Sequence, residues 1–254
     1  MNGDRLQKQI DLHKTLIGDY EKRYTPAYSI VFQRYWNREI LGRLRQPPQS
    51  KILDMGCGTG IMLRDIKNYG YKGFGLDISQ DMLMISVQSE PVIVGNGREL
   101  PFQDGSLDAI VARGAIHHIP DIQGVFREIH RVLSYGGQLV ISEPSNDSLI
   151  VRAARTVMYR KNRHFDIEDE GFKSAVIVRI IEEAGFQIES LYRFGFFSYT
   201  FSGFPDILPV LDYVPFSTSL TRLFILTDRF LSRVPMLNRL SLNIIITARK
   251  LQGS

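Results

Sequence analysis

Through the middle of the chain, short apolar runs alternate with helix-length amphipathic stretches. The runs fall at 51–55, 73–77, 91–94, 107–112 and 138–143, which predicts strands separated by helices. Such spacing leaves room for crossover helices, so the rhythm predicts a parallel sheet with right-handed connections. Asp121 has the chemistry of an N-cap for a helix over 122–133, and the pair Gly136-Gly137 is expected to stop that helix before the next strand. A helix over 174–184 ends at Gly185, residues 186–196 alternate as a further strand, and 240–249 reads as the last.

Two segments fall outside this rhythm. Residues 1–46 show helical patterning rich in aromatics (Tyr20, Tyr24, Tyr28, Phe32, Tyr35, Trp36), closed by Pro47-Pro48. They are read as an N-terminal helical cap on an α/β domain spanning 47–254. Between the last two strands, residues 197–239 are aromatic and leucine-rich, punctuated by Pro205, Pro209, Pro215 and Pro235, and too long for a simple turn. Residues 194–221 carry only Asp206 and Asp212 as charges, and 220–240 reads as an amphipathic helix. This insertion is expected to form a greasy lid over a substrate, extra core or a dimer interface. Tyr24, Tyr28, Phe197 and Phe201 are candidate substrate contacts.

Composition narrows the class. With 254 residues, 44% of them hydrophobic, the chain can bury one sizeable core. The single cysteine, Cys57, excludes an internal disulfide framework, and the absence of a Cys/His cluster with ligand spacing predicts no metal site. The N-terminus lacks the apolar core of a signal peptide, and no apolar run approaches the roughly 20 residues of a membrane span. A cytoplasmic protein is expected, with peripheral membrane contact left open. Net charge is only +4, yet Arg152, Arg155, Arg160, Lys161 and Arg163 cluster among Ile150, Val151, Val157, Met158 and Tyr159. Such a basic amphipathic stretch either docks on phosphate groups of a membrane, an acceptor or RNA, or is a solvated helix face.

The candidate chemistry begins where the first strand ends, in Asp54-Met55-Gly56-Cys57-Gly58-Thr59-Gly60. Glycines there permit a sharp turn and close approach of a ligand to backbone N–H groups. Asp54, immediately before the turn, repels a pyrophosphate and attracts an ammonium, which separates this loop from a dinucleotide-binding one. Cys57 reads as a small spacer. The second strand ends at Asp77, which can accept both hydroxyls of a ribose or cap a helix beginning at Ser79. The third ends at Val94-Gly95-Asn96-Gly97, followed by Leu100-Pro101-Phe102 and the turn Asp104-Gly105-Ser106-Leu107-Asp108.

In order and spacing, the run from Ile52 to Glu143 resembles the class I S-adenosylmethionine-dependent methyltransferases, particularly the ubiquinone/menaquinone-type small-molecule subgroup. The resemblance implies a Rossmann-like α/β fold. Its seven-stranded, mostly parallel sheet would have order 3-2-1-4-5-7-6, with helices on both faces. It implies that Asp54, Gly56 and Gly58 hold the methionine part of S-adenosylmethionine and Asp77 the ribose. Ile78 or Met82 would then cover an adenine face, with Asn96 and Gly97 at its edge and the Arg113 backbone carbonyl near the amino group or methyl. Asn96 departs from the Asp common in the family, but its side-chain carbonyl can still accept from the adenine amine.

His117 and His118 follow the fourth strand, where an imidazole could take a proton from a hydroxyl or acidic C–H, or simply cap the next helix. His164, in Arg163-His164-Phe165-Asp166, is a candidate substrate contact or gating residue beside the acidic run 166–170. The expected activity is methyl transfer to O or C of a small, hydrophobic or lipid-like intermediate, by a monomer or homodimer. An RNA methyltransferase and a non-catalytic S-adenosylmethionine-binding module are the alternatives.

Overall fold

The computed structural model describes residues 23–85, 91–149, 151–153 and 171–251. Tyr20, His164, the acidic run and the basic residues Arg155, Arg160, Lys161 and Arg163 lie outside them.

Seven strands form one sheet: β1 (Lys51–Met55), β2 (Lys72–Asp77), β3 (Val92–Val94), β4 (Leu107–Arg113), β5 (Leu133–Pro144), β6 (Phe186–Phe194) and β7 (Asn243–Lys250). Their order is β3-β2-β1-β4-β5-β7-β6, as expected. The first five run parallel, and β7 is antiparallel to both β5 and β6. Period-two alternation divides the core between the two faces. Leu53, Met55, Ile110, Ala112, Leu139 and Ile141 face α4 (Ile122–Val132) and α5 (Ser174–Glu183), where they meet Phe126, Ile129, Ile177 and Ile181. Ile52, Ala109, Val111, Val140 and Ile245 face α1 (Ala27–Leu41) and α2 (Ile61–Asn68), where they meet Trp36, Ile40, Leu63 and Ile66. The short α3 (Gln80–Ile85) follows β2.

The glycine pair does not stop α4. Asp121 does cap its start, accepting from the Gly124 N–H at 3.1 Å, but the helix already ends at Val132, and Gly136-Gly137 lies inside β5. The β4 register shifts from Leu107↔Leu133 to Ala109↔Gln138, so extra β5 residues must bulge between. Gly136 supplies the required positive φ of 77°, and a Cβ on Gly137 would stand 2.8 Å from the Ser134 carbonyl oxygen. Similarly, β6 ends at Phe194 and not at 196, because Gly195 turns the chain with φ 81°. The last strand begins at Asn243, three residues later than expected.

The insertion comprises α6 (Phe197–Ser202), a 3₁₀ turn at Pro209–Tyr213, α7 (Ser217–Leu231) and a second 3₁₀ turn at Leu237–Leu240. The single helix expected over 220–240 is therefore broken, near Pro235, which offers no N–H to continue the ladder. α7 sends Ile225 into the core beside Phe32 and Trp36 of α1. Its Asp228, fully buried, accepts from the backbone N–H groups of Phe196, Phe197 and Ser198 at 2.9–3.0 Å and from the Ser198 hydroxyl at 2.6 Å. That carboxylate closes the start of α6.

Candidate active site at the carboxyl edge of the sheet

Each parallel strand delivers its last residue to the same edge, and the chemistry gathers between β2, β1, β4 and β5. After β1 the chain turns through Gly56, Gly58 and Gly60, whose φ values of 76°, 51° and 74° favour residues without a Cβ. A Cβ on Gly56 would stand 2.4 Å from that of Ala115, so the turn is pressed against the loop after β4. The Gly56 and Cys57 N–H groups both donate to the Leu76 carbonyl, which pins the turn to β2. Buried Cys57 lies against Gly75, where a Cβ would come within 2.7 Å of its Sγ, in keeping with a packed spacer.

Asp77 ends β2. Its Oδ2 accepts from the Gly58 N–H and its Oδ1 from the Ser79 N–H, both at 2.8 Å. A carboxylate has about four acceptor positions, so two remain for a vicinal diol. The N-cap role belongs to Ser79, whose Oγ accepts from Met82 N–H at 3.3 Å. Met82 is buried, with its Cε 3.8 Å from the point where a Cβ on Gly58 would stand; Ile78 is half-buried beside Asp77. Past β3, the Asn96 side-chain oxygen accepts from the Arg98 N–H at 3.0 Å, leaving it one lone pair. A Cβ on Gly97 would meet Ile119 Cδ1 at 2.9 Å.

Asp54 is 2% exposed, and burial pushes its carboxyl up to about 7; the nearby Arg113 guanidinium opposes that shift and Asp77 adds to it. A carboxylate so desolvated calls for more positive charge than Arg113 alone provides. An amino-acid ammonium beside Asp54 and a ribose diol at Asp77 meet the two demands, so the residues fit S-adenosylmethionine.

The sequence suggested only a backbone role for Arg113, yet its side chain ties α1 to the sheet. One terminal nitrogen donates to Asn37 Oδ1 at 2.6 Å and Gln33 Oε1 at 3.2 Å, and the other to Tyr24 Oη at 3.0 Å. Its guanidinium carbon lies 5.0 Å from the centroid of the Trp36 ring. Tyr24 thus stands at this edge. Tyr28 is 3% exposed and donates to Asp212 Oδ1 at 2.8 Å, which fastens α1 to the insertion. Phe197 and Phe201 follow the outermost strand and pack on Phe224, with ring centroids 6.0 and 5.7 Å apart. These two rings belong to the insertion's own packing.

At the end of β5 stands Glu143, fully buried. One of its oxygens accepts from the Ala115 and Ile116 N–H groups at 3.1 and 2.9 Å; the other lies 2.6 Å from His117 Nδ1. The carboxylate can only accept, so Nδ1 carries the hydrogen and Nε2 is left as the basic nitrogen. His118 packs against the same ring, with centroids 3.9 Å apart. Sequence reading found both histidines and missed Glu143. The available signal was an acidic residue ending an otherwise apolar run, where both sheet faces are covered.

Residues 53–141 match the family described as "Methyltransferase domain". The demethylmenaquinone methyltransferase of Alkalihalophilus pseudofirmus is 30% identical over 158 residues, which cover 57% of this chain and 66% of that protein. The enzyme of that name from Oceanobacillus iheyensis is 30% identical over 161 residues, covering 58% and 68%, and that of Geobacillus stearothermophilus is 32% identical over 159, covering 57% and 68%. The chain thus spans about two thirds of the length of these relatives. Among solved structures, an S-adenosylmethionine-dependent methyltransferase from Archaeoglobus fulgidus superposes with a TM-score of 0.62 at 19% identity, covering 91% of this chain and 98% of that one.

Proposed function

Because the chain belongs to the class I S-adenosylmethionine-dependent methyltransferases, in the subgroup that includes the demethylmenaquinone enzymes, we propose that it methylates an oxygen or carbon of a small, hydrophobic, quinone-type acceptor with His117 as general base. The observation that carries this reading is the pairing of buried Glu143 with His117 beside the cofactor edge. S-adenosylmethionine, when bound, would supply an electrophilic methyl on a sulfonium, with S-adenosylhomocysteine as the leaving group. Asp54 would hold the ammonium and Asp77 the ribose, while Met82 and Ile78 would cover the base and Asn96 and Gly97 border it.

His117 Nε2 takes the proton that leaves the acceptor hydroxyl or activated C–H. Glu143 fixes the ring orientation and stabilises the imidazolium that forms, and its two backbone donors keep it in place as charge develops. An acceptor whose nucleophilic atom carries an acidic hydrogen uses this pair fully; an amine with a free lone pair gains less, which favours O or C over N.

The test is turnover of S-adenosylmethionine with a short-chain demethylated naphthoquinol, followed by mass spectrometry of the product. Glu143→Gln and His117→Ala are each expected to lower kcat by about 10²–10⁴ while S-adenosylhomocysteine binding persists. Full turnover by His117→Ala would remove the base from the mechanism. Intact cofactor binding with no methylation of any hydroxyl or C–H acceptor would remove the acceptor class.

A further inference from the structure

A second feature lies away from the glycine turn. Between α1, the far end of α2 and α7 runs a groove of about 530 Å³. Arg34 and Arg38 border it from α1, Arg222 and Arg229 from α7, and all four are exposed. None of these guanidinium groups pairs with a carboxylate among the described residues. Asp65, also in the groove, accepts from Asn37 at 2.6 Å. The floor is apolar and aromatic, with Tyr35 and Ile225 buried.

Beside the groove, α7 presents Leu223, Leu226 and Phe230, 57%, 62% and 67% exposed. At 100° per residue these three share an arc that adjoins the Arg222 and Arg229 positions, opposite buried Thr221 and Asp228. Outside the helix, Phe216, immediately before α7, and Met236, five residues beyond its end, are 84% and 81% exposed and hold φ of 60° and 70°. Bulky side chains are seldom found at such angles, and here two of them project apolar groups into solvent.

We propose that this face docks on an anionic phospholipid bilayer, with headgroup phosphates on the four arginines and the α7 ridge in the acyl boundary. The pairing of a cationic rim with an apolar ridge is what an interfacial helix requires. A second copy of the chain fits poorly, since a twofold interface would bring these arginines against their own kind. RNA would leave the apolar ridge without a partner. The proposal concerns a surface separate from the cofactor edge and stands independently of the acceptor.

Flotation of the full chain with vesicles tests it, using phosphatidylcholine alone and an equimolar mixture with phosphatidylglycerol. Binding is expected only to the mixture and is expected to weaken as salt rises. Arg222→Ala with Arg229→Ala should reduce it by roughly thirtyfold, and Leu226→Ser with Phe230→Ser should abolish it. All variants should keep wild-type S-adenosylhomocysteine binding and thermal unfolding, which separates lost docking from lost fold. No binding to anionic vesicles would overturn the proposal, as would equal binding by wild type and both double variants. So would displacement from vesicles by millimolar inorganic phosphate, or a dimer that Phe230→Ser dissolves in the absence of lipid.

Discussion

Asp54 shows how much one side chain's surroundings decide. Because burial holds its carboxyl near 7, the folded protein keeps a proton that the unfolded chain releases at lower pH. The native state therefore binds more protons between the ordinary carboxylate range and pH 7, so the Asp54 contribution lowers stability as pH rises through that window and is constant above it. Binding an ammonium reverses the preference, since it needs the ionised form. Calorimetric affinity for S-adenosylhomocysteine is expected to climb by up to about tenfold per pH unit toward 7 and then level off. Asp54→Asn should flatten that profile and weaken binding by about two orders of magnitude, as expected when a buried charge loses its partner. At Gly56, Ala would combine a φ of 76° with a Cβ 2.4 Å from that of Ala115. We expect a loss of about 1–3 kcal/mol in chemical denaturation together with impaired cofactor binding.

At the scale of elements, the sheet edge is joined to the rest by a few polar contacts. Asp228 alone satisfies three backbone N–H groups at the start of α6. Asp228→Ala should cost about 2–4 kcal/mol in urea unfolding and speed hydrogen exchange at residues 196–198, because those donors lose their acceptor. Arg113 plays the same part for α1. Most elements were legible, because a period of two or of 3.6 with a cap or glycine at the end is a local signal. The failures were tertiary: Gly136-Gly137 resembles a helix stop until pairing with β4 demands a bulge there. The Arg113 side chain was legible only once α1 had been placed over it. Glu143 was hidden because strand periodicity says nothing of which buried terminal residue meets a histidine on a neighbouring loop.

For the whole molecule, the insertion is less an appendage than a wall of the second core, since Ile225, Tyr199 and Phe204 pack with α1. This explains why a segment so apolar could not be assigned from sequence: residues 197–239 serve the core on one side and solvent on the other. β7 enters between β5 and β6, pairing with both along its length, although its residues come after every other strand. While the ribosome is still adding residues before Asn243, β5 exposes one ladder edge and β6 has no strand to join. A nascent chain that has built the rest of the sheet is therefore open to wrong pairing or to chaperones until β7 emerges and joins β5 to β6.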